Sequence, residues 1–403
     1  MKKINNFALN PDEDTLQQFK HCYEQEFVSK AALMPDAHKG YVAPIGAVLV
    51  TKDYVVPSWV GFDIGCGVIA VEIKGKNLLE KIKENENKIF DSVKARVPMG
   101  VGEINEKKNI SDGTLAEYEK LLNEFKKKPH RKEVLQFLEG KAVQHLGTVG
   151  SGNHFIELGY SEEVLSSSSE DGTGLAADLS AVWVVIHSGS RGVGYKVAEF
   201  YMKQSAKGDK EFEKTYPIHK DSDTGKEYLN ILDFSLEFAL LNRMEMARKV
   251  ILSLEEVLGE KIEWELWVNK NHNHAVPDDG YFIHRKGATP AKKGERGVIP
   301  GNMRDGSFLV EGLGNAEFLN SSSHGAGRKY SRTQAQKEFS MKEFEKSMKG
   351  IKGTVSEGTI DEAPMAYKDI YEVMDAQKES VKIVTQIKPL INWKGEKRRS
   401  KKK

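Results

Sequence analysis

The feature that most constrains this chain is a set of short β-type runs that each end beside reactive side chains. Three of these runs are "YVVPSWVGFDIGCG", "AVWVVIHSGSRG" and "WELWVNKNHNHAV", and each leads into an Asp/Cys pair or a histidine next to turn residues. A fourth histidine, His154, begins a similar run after the glycine-rich "GTVGSGN". The pattern indicates β-strands whose ends carry metal-ligating types of side chain.

Amphipathic, charge-rich segments predict the helices. Four segments show apolar residues at helical spacing with Lys and Glu on the outer face: 76–92, 115–139, 234–258 and 365–387. The segment 161–178, which contains "SSSSEDGTG", is predicted to be a surface loop, and the terminal "GEKRRSKKK" is typical of a disordered basic tail. No Pro-rich or Ser-rich linker requires a domain boundary.

Composition bears on the cellular compartment of the protein and on the way in which it could bind nucleic acid. The 403 residues include 60 basic and 59 acidic side chains, so a nucleic acid would have to be met by a local groove and not by overall charge. Only two cysteines occur, Cys22 and Cys66, and we find neither a secretory segment nor a membrane-spanning run. We therefore expect a cytoplasmic protein that does not associate with a membrane.

The Asp/Cys pair and the histidines together favour a metal site. Asp63 and Cys66 can reach one ion from a glycine-studded loop, and His154, His187 and His272 each stand at the edge of a β-type run. Thiolate, imidazole and carboxylate form a transition-metal set suited to Mn, Zn or Co, and not a magnesium set. Taken singly, Cys66 could be a buried filler, Asp63 a cap, and each histidine a hydrogen-bonded strand end.

Glycine-rich segments supply features of a nucleotide site. "GTVGSGNHF" and "IPGNMRDGS" offer bare backbone N–H groups for phosphate, although each alone is no more specific than a tight turn. Glu157 has the acceptor chemistry to pair with the N1–H and N2–H groups of guanine. Arg191 and Arg328 each follow a histidine by four residues and could hold phosphate or form surface ion pairs. His324 lies between three serines and a Gly-Ala-Gly turn, where another molecule can approach it closely.

Seven ordered motifs resemble the RtcB family of RNA-splicing ligases, over about residue 30 to Gly395. They are "MPDAHKGYVAPIGAV", "VGFDIGCGV", "GSGNHFIE", "HSGSRGVG", "HRKGATPA", "IPGNM" with Ser307, and "SSSHGAGRKYSR". The resemblance implies a GTP- and Mn²⁺-dependent enzyme of tRNA splicing or RNA repair. Such an enzyme joins an RNA 3′-phosphate or 2′,3′-cyclic phosphate to a 5′-hydroxyl through a guanylylated histidine and an RNA 3′-pp-5′-G intermediate.

The resemblance also implies roles for particular residues. His324 matches the guanylylated, catalytic histidine. The implied ligands of two Mn²⁺ ions per chain are Asp63, Cys66, His154, His187 and His272. The implied GTP contacts are Asn153, His154, Phe155, Ile156, Glu157, His272, Asn273, Pro300, Gly301, Asn302, Met303, Ser307, His324, Gly325, Ala326, Gly327, Tyr367 and Lys394. His274 falls where the family is not reliably histidine.

The implied fold is α+β. It is a single large domain, residues 1–395, with β-sheets flanked by helices and strand ends converging on one metal and nucleotide cleft; residues 396–403 form the basic tail. Two departures from the family stand out: the Ser-rich loop after Glu157 is longer than in compact relatives, and the tail passes the point where many relatives stop, which bears on the placement of Lys394.

Two other classes of function are open from the residues alone. "HNH" at 272–274 is a superficial signature of a metal-dependent phosphodiesterase, which would need neither a guanine site nor a covalent adduct. A non-catalytic RNA-binding protein would tolerate the loss of His324, and the near-neutral charge argues mildly against it. We expect a monomer, and the sequence leaves open whether tRNA halves, ribosomal RNA or another broken RNA is the natural substrate.

Overall fold

The computed structural model describes residues 2–162 and 180–396. The predicted loop at 161–178 lies outside the described residues except for residues 161 and 162. The predicted tail at 396–403 lies outside them except for residue 396.

The described residues form many short strands and a smaller number of helices. The strands are β1 (Lys3–Asn6), β2 (Val28–His38), β3 (Ile45–Lys52), β4 (Tyr54–Val55), β5 (Gly67–Lys74), β6 (Phe155–Glu162), β7 (Ser180–Ser188), β8 (Ile218–His219), β9 (Glu263–Asn271), β10 (Asn273–Asp278), β11 (Tyr281–Lys286), β12 (Ala288–Pro290), β13 (Arg296–Pro300), β14 (Ser307–Gly312), β15 (Ser321–Ser323), β16 (Lys352–Gly353) and β17 (Val381–Trp393). The helices are α1 (Glu13–Tyr23), α2 (Pro57–Val60), α3 (Leu78–Glu84), α4 (Glu86–Arg96), α5 (Asp112–Lys126), α6 (Lys132–Gly140), α7 (Gly192–Ser205), α8 (Asp223–Leu258), α9 (Arg332–Glu338), α10 (Met341–Ser347) and α11 (Ile370–Ala376).

Two mixed sheets organise these elements. The larger sheet has the order β13-β14-β17-β6-β7-β5-β9, with β16 paired to β17, and the smaller has the order β1-β2-β3-β11-β10. The two ends of the larger sheet approach each other, and the guanidinium of Arg296 on β13 lies 3.9 Å from the ring centroid of Trp267 on β9. This cation–π contact joins the end strands, so the sheet curls into a near-barrel. The fold is the expected α+β arrangement of sheets flanked by helices.

Helix α8 is the main support of the larger sheet. Ser222 caps its start by accepting a hydrogen bond from the Gly225 N–H, and Gly259, at φ 69°, ends it in the left-handed region. Its apolar residues, such as Met246 and Val250, pack on the sheet face that carries Ile69 and Leu158. Burial of this apolar surface fixes the strands of the sheet against one rigid rod.

Each of the segments 76–92 and 115–139, predicted as one helix, contains two: α3 and α4 in the first, α5 and α6 in the second. The helix predicted at 234–258 lies within α8. The prediction of a helix at 365–387 is correct only for α11, because a 3-10 turn and extended residues precede Ile370, a turn follows Ala376, and β17 begins at Val381. The β-branched residues of "VKIVTQI" favour a strand, and pairing with β14 and β6 selects it.

The β-type run at 54–67 is also mostly wrong. Only Tyr54, Val55 and Gly67, where β5 begins, are in strands; Pro57 begins the short helix α2, and the turn that follows carries Asp63 and Cys66. Proline favours the first turn of a helix, because its fixed φ suits the helix and its missing N–H would be unpaired there.

Among the residues that the structure describes, no helix combines the length and apolar character that crossing a bilayer requires.

Candidate metal and nucleotide cleft

One cleft of about 1020 Å³ gathers most of the residues that the sequence singled out. Its lining includes Asp63, Cys66, Asn153, Phe155, Glu157, His187, His272, Asn273, Pro300, Gly301, Asn302, Met303, His324, Gly325, Ala326, Gly327, Tyr367 and Lys394. These residues come from both sheets and from segments more than 300 residues apart in the chain. The side chains therefore meet only in the folded protein.

Ile156 is placed differently from its neighbours. Successive side chains of a strand point to opposite faces, so Phe155 and Glu157 face the cleft, whereas Ile156 is fully buried in the core under the helices. Its backbone pairs with Ile186 on one side and Trp393 on the other. The structure therefore does not bring the Ile156 side chain to the expected nucleotide site.

Four of the five predicted metal ligands stand in a row because the strands of the larger sheet are in register, and Asp63 lies in the turn before Cys66. His154 directly precedes β6, and Phe155 pairs with His187 on β7. Gly67, directly after Cys66, pairs with Ser188 on one side and with Asn271, directly before His272, on the other. The four neighbouring strands thus present these side chains at one edge.

The donor atoms of this cluster lie close together. Cys66 Sγ is 3.3 Å from His154 Nε2 and 3.2 Å from His187 Nε2. His187 Nε2 is 3.1 Å from His272 Nε2, and His154 Nε2 is 2.8 Å from Asp63 Oδ2. Cys66, His154 and His187 together satisfy the geometry of a metal-binding group. The ring of His154 is oriented by its Nδ1, which is 2.9 Å from the Val149 carbonyl oxygen.

Protonation states around the cluster suit metal binding. Burial and the neighbouring histidines hold the pKa of His187 and of His272 well below the usual value, so both imidazoles are neutral and offer a lone pair. Burial opposes ionisation of Asp63, but His154 and Arg191 outweigh it and lower the pKa of this carboxyl. Burial and the nearby Asp63 raise the pKa of the Cys66 thiol. A bound cation would reverse this last effect, because thiolates are metal ligands.

Arg243 on α8 fixes the strand ends from behind. Its fully buried guanidinium donates to the carbonyl oxygens of Gly65 and Ser188, at 2.9 and 2.8 Å. It also donates to the side-chain oxygens of Asn269 and Asn271, at 2.7 Å each. One side chain thus ties together the Cys66 turn, β7 and β9, which together carry Cys66, His187 and His272.

His324 lies beside this group of candidate metal ligands and is held by an aspartate that sequence reasoning missed. Its ring centroid is 4.8 Å from that of His272, and its Nδ1 is 2.6 Å from Asp36 Oδ2. The His324 backbone N–H also donates to Asp36 Oδ2, at 3.2 Å. Burial raises the pKa of Asp36, but His324 outweighs it, so the pKa lies below the usual value. Asp36 stands in the quoted motif "MPDAHKGYVAPIGAV", which was the available signal.

Two glycines leave the space that His324 and Asp36 occupy. Gly287 has a φ of +60°, and a Cβ there would lie 3.1 Å from two atoms of the His324 ring and 2.4 Å from Ile45. Gly327 has a φ of +72°, and a Cβ there would lie 2.1 Å from the Asp36 carbonyl oxygen. Larger residues at either position would displace His324 or Asp36.

Glu157 lies in the cleft as a buried carboxyl group. Ser307 Oγ donates to its Oε1 at 3.1 Å, and Asn392 Nδ2 donates to its Oε2 at 3.3 Å. Burial raises the pKa of Glu157 to about 7, against the lowering effect of these hydrogen bonds and of Lys394. Glu157 is therefore a buried, hydrogen-bonded carboxyl group, and Ser307 is itself fully buried.

A second missed residue, Glu362, organises several cations at the cleft. Its buried carboxylate lies 3.1 Å from Lys394 Nζ and 3.2 Å from Arg328, and it also contacts Arg332 and the Tyr367 hydroxyl. Burial opposes ionisation, but Lys394 and the two arginines lower the pKa of Glu362 below its usual range. The ion pair of Arg328 is thus a buried one and not a surface one. Arg191, the other candidate for a phosphate contact, packs its guanidinium against Gly150, and its charge helps to lower the pKa of Asp63.

Lys286 is a third residue that sequence reasoning did not assign. It follows the arginine of "HRKGA" at the end of β11, and its Nζ donates to the Val60 carbonyl oxygen at 2.8 Å. Burial lowers the pKa of Lys286 to about 8, against the opposing charges of Asp63 and Cys66. The cleft therefore has a buried amine close to the proposed ligands.

Comparison with known proteins agrees with these features. The sequence matches the family described as "tRNA-splicing ligase RtcB" over residues 18–395. The "RNA-splicing ligase RtcB" of Escherichia coli (strain K12) is 32% identical over 409 residues, which cover 95% of each chain. The "tRNA-splicing ligase RtcB" of Nanoarchaeum equitans is 33% identical, covering 96% of this chain and 92% of the relative. That of Methanococcus maripaludis is 29% identical, covering 91% and 88%. The chain belongs to the RtcB family.

Proposed function

We propose that this protein is a GTP- and Mn²⁺-dependent RNA ligase that joins a 3′-phosphate or 2′,3′-cyclic phosphate end to a 5′-hydroxyl end. One observation carries the proposal: His324, oriented by Asp36, adjoins the cluster of metal-type donors in the cleft that also holds Glu157. The family membership and the names of the relatives support an activity on RNA, in tRNA splicing or repair. We further propose a cytoplasmic monomer.

The donor set fits transition-metal ions. Asp63, Cys66, His154, His187 and His272 would hold two Mn²⁺ ions, because the set mixes a thiol, neutral imidazoles and a carboxylate. Bound ions would neutralise phosphate charge and make a hydroxyl easier to deprotonate.

His324 is the proposed nucleophile. With Nδ1–H donating to the Asp36 carboxylate, the other ring nitrogen, Nε2, keeps its lone pair. Nε2 attacks the α-phosphorus of GTP, so that an N–P bond forms and the bond to pyrophosphate breaks. Asp36 stabilises the positive charge that the ring gains, as the aspartate does in a catalytic triad.

The remaining steps transfer the GMP group. An oxygen of the RNA 3′-phosphate attacks phosphorus, the N–P bond to His324 breaks, and RNA 3′-pp-5′-G forms. The 5′-hydroxyl of the second RNA end then attacks the former 3′-phosphate, and GMP leaves as the new phosphodiester forms. A cyclic phosphate must first be opened by water.

Replacement of Asp36 tests the positioning of His324. Asp36→Asn keeps the shape of the side chain but removes its charge and can stabilise the wrong imidazole tautomer, so we expect guanylylation to slow by a factor on the order of 10² to 10⁴. The measurement is the rate of labelling from α-³²P GTP in Mn²⁺, with a thermal melt as the control for folding. Labelling at the parent rate would show that Asp36 has no part in the step.

The choice of base tests the proposed role of Glu157. A carboxylate accepting from N1–H and N2–H of guanine finds no such donors on adenine, and leaving it unpaired costs on the order of 2 to 4 kcal/mol. We expect GTP to be preferred over ATP by roughly thirtyfold to a thousandfold, with inosine triphosphate between them. Glu157→Gln should narrow this gap more than it lowers the rate with saturating GTP. Unchanged selectivity in the variant would place the guanine site elsewhere.

The pH dependence of GTP use provides a second measurement on Glu157. Burial raises the pKa of Glu157 to about 7, so the carboxyl group is mostly protonated at pH 6 and mostly ionised at pH 8. Because only the ionised form accepts both hydrogen bonds, KM for GTP should fall by about tenfold between these pH values. Glu157→Gln should remove this dependence of KM on pH. A parent-like pH profile in the variant would contradict the proposed contact between Glu157 and guanine.

The two other classes of function make different predictions. The "HNH" signature is weakened because His274 lies beside Arg285 and His284, whereas His272 lies in the metal cluster. A phosphodiesterase would form no covalent adduct, and an RNA-binding protein would not need His324. Incubation with labelled GTP and Mn²⁺, followed by a denaturing gel, separates both from the proposed ligase.

A further inference from the structure

Three aromatic side chains stand together at the rim of the cleft. They are Tyr41, in the loop between β2 and β3, Phe62, in the turn after α2, and Tyr195, on α7. Tyr41 is 76% exposed and Tyr195 53%, and Phe62 is half-buried between them. We call these three residues the aromatic platform. Adjacent exposed rings at the mouth of a site are typical of a binding surface, because exposed apolar patches are costly in a soluble protein.

The rings of the platform support one another. Phe62 stacks on Tyr195 with ring centroids 5.0 Å apart and an interplanar angle of 23°. Tyr41 meets Phe62 edge to face, with centroids 5.9 Å apart and an angle of 85°. Both arrangements are favourable for aromatic rings. The platform is therefore ordered before a ligand arrives, which lowers the entropic cost of binding.

The platform is attached to the reactive side of the cleft. Phe62 directly precedes Asp63, Tyr41 follows the end of the strand that carries Asp36, and Tyr195 follows the strand that carries His187. The proposed guanine contacts lie on other segments: Glu157 on β6, Ser307 on β14, and Lys394 after β17. A molecule seated on the platform would thus adjoin the segments that carry Asp63, Asp36 and His187.

Charge around the platform is mixed. Lys39 is paired with Asp14 at 2.6 Å, and the ammonium of Lys196 lies 5.2 Å from the Phe137 ring centroid. Asp12 and Asp14 also line the cleft. A surface that selected its ligand by phosphate charge alone would lack these carboxylates, so the distinguishing feature of this rim is its π-surface.

We propose that the aromatic platform stacks nucleobases of single-stranded RNA at the end to be joined. This inference rests on the proposed RNA ligase function and adds a subsite for the substrate. Stacking tolerates any base because each base has a π-face, so the platform would hold RNA ends of different sequence in front of the metal cluster.

Direct binding of RNA to the full chain tests the platform. The probes are fluorescent single strands of about 12 nucleotides, one ending in a 3′-phosphate and the other beginning with a 5′-hydroxyl, in Mn²⁺ without GTP. Tyr195→Ala and Tyr41→Ala should each weaken binding of at least one probe by about fivefold to 150-fold, and the affected probe identifies the RNA end. Tyr195→Phe should keep parent affinity because it keeps the ring, and Tyr195→Leu should not. Tyr281→Ala, an exposed tyrosine on β11 outside the cleft lining, is the matched control.

An abasic probe isolates the base from the phosphate. Removing the terminal base should weaken binding to the parent by about the same factor as Tyr195→Ala, and the two changes together should weaken it little further. Because no phosphate contact is lost, the dependence of binding on salt should be the same in Tyr195→Ala and the parent. Additive losses, or a shallower salt dependence in the variant, would overturn stacking.

Labelling of His324 by GTP separates this inference from the proposed function. Tyr195→Ala should be guanylylated at the parent rate, because the platform does not hold the nucleotide. If the parent is guanylylated and binds RNA but the alanine variants bind it equally well, the platform is overturned and the ligase proposal stands. If the parent binds no RNA, both fail. If the variants lose binding of a protein partner while RNA affinity is unchanged, the platform is a protein-docking surface and the inference is wrong.

Discussion

His324→Ala should abolish covalent labelling of the protein by α-³²P GTP. No other group takes the place of a missing nucleophile, so we expect a loss of about a thousandfold or more, to below detection on a denaturing gel. In the parent, the label should survive alkali and be released by mild acid, as an N–P bond to imidazole requires. Label that persists in the variant would move the nucleophile to another residue.

The same variant provides its own control. Because His324 acts only at the start of the cycle, His324→Ala should still seal an RNA that already carries a 3′-guanylylated end. If His324 were instead only a metal ligand, its loss would impair this sealing step as well. The two assays therefore distinguish the nucleophile from a ligand.

The metal requirement should also have a large effect. The cluster contains Cys66 and three imidazoles, which favour transition metals, so Mg²⁺ alone should support little or no guanylylation and Mn²⁺ should support it well. Cys66→Ser replaces a soft ligand by a weak one, and we expect metal affinity to fall by about tenfold or more without loss of the fold. Calorimetric titration with Mn²⁺ and a thermal melt measure the two quantities.

Full activity in Mg²⁺ after removal of trace transition metals would contradict the metal assignment. A manganese-soaked crystal provides a structural check, since two ions should be visible, one at Cys66 and one near His324. Unaltered Mn²⁺ affinity in Cys66→Ser would remove Cys66 from the ligand set.

The sequence predicts which donor side chains come together better than it predicts the elements that carry them. His154, His187 and His272 do stand at the ends of strands in one sheet, because β-branched runs followed by turn residues are a local signal. The run before Asp63 contains a short helix in place of a continuous strand, yet the turn that carries Asp63 and Cys66 still reaches the cluster. Glycine-rich turns can be recognised without knowing the element before them.

Tertiary pairing overrides the local pattern at one predicted helix. The segment 365–387 has an amphipathic pattern that suits a helix, but pairing with β14 makes its last residues, from Val381, part of the strand β17. Ile156 stands within a run of consecutive predicted contacts, and the alternation of the strand turns its side chain into the core.

Contacts between distant segments could not be predicted from local pattern. Asp36 and His324 are 288 residues apart, and only the packing of β15 beside β2 brings them together. Glu362 likewise gathers Arg328, Arg332 and Lys394 from separate segments. In these cases no sequence spacing indicates that the residues are in contact. The resemblance to the family therefore predicted the cleft, and the structure identified the partners of His324 and Lys394.

The fate of the junction phosphate tests the central claim most directly. An RNA with a ³²P-labelled 3′-phosphate is incubated with a 5′-hydroxyl RNA, GTP and Mn²⁺, and the product is treated with phosphatase. The proposed mechanism predicts a joined RNA whose label resists phosphatase, because the 3′-phosphate becomes the internal phosphodiester, and no joining without GTP. Release of the label as inorganic phosphate, or joining that requires a 5′-phosphate, would contradict it.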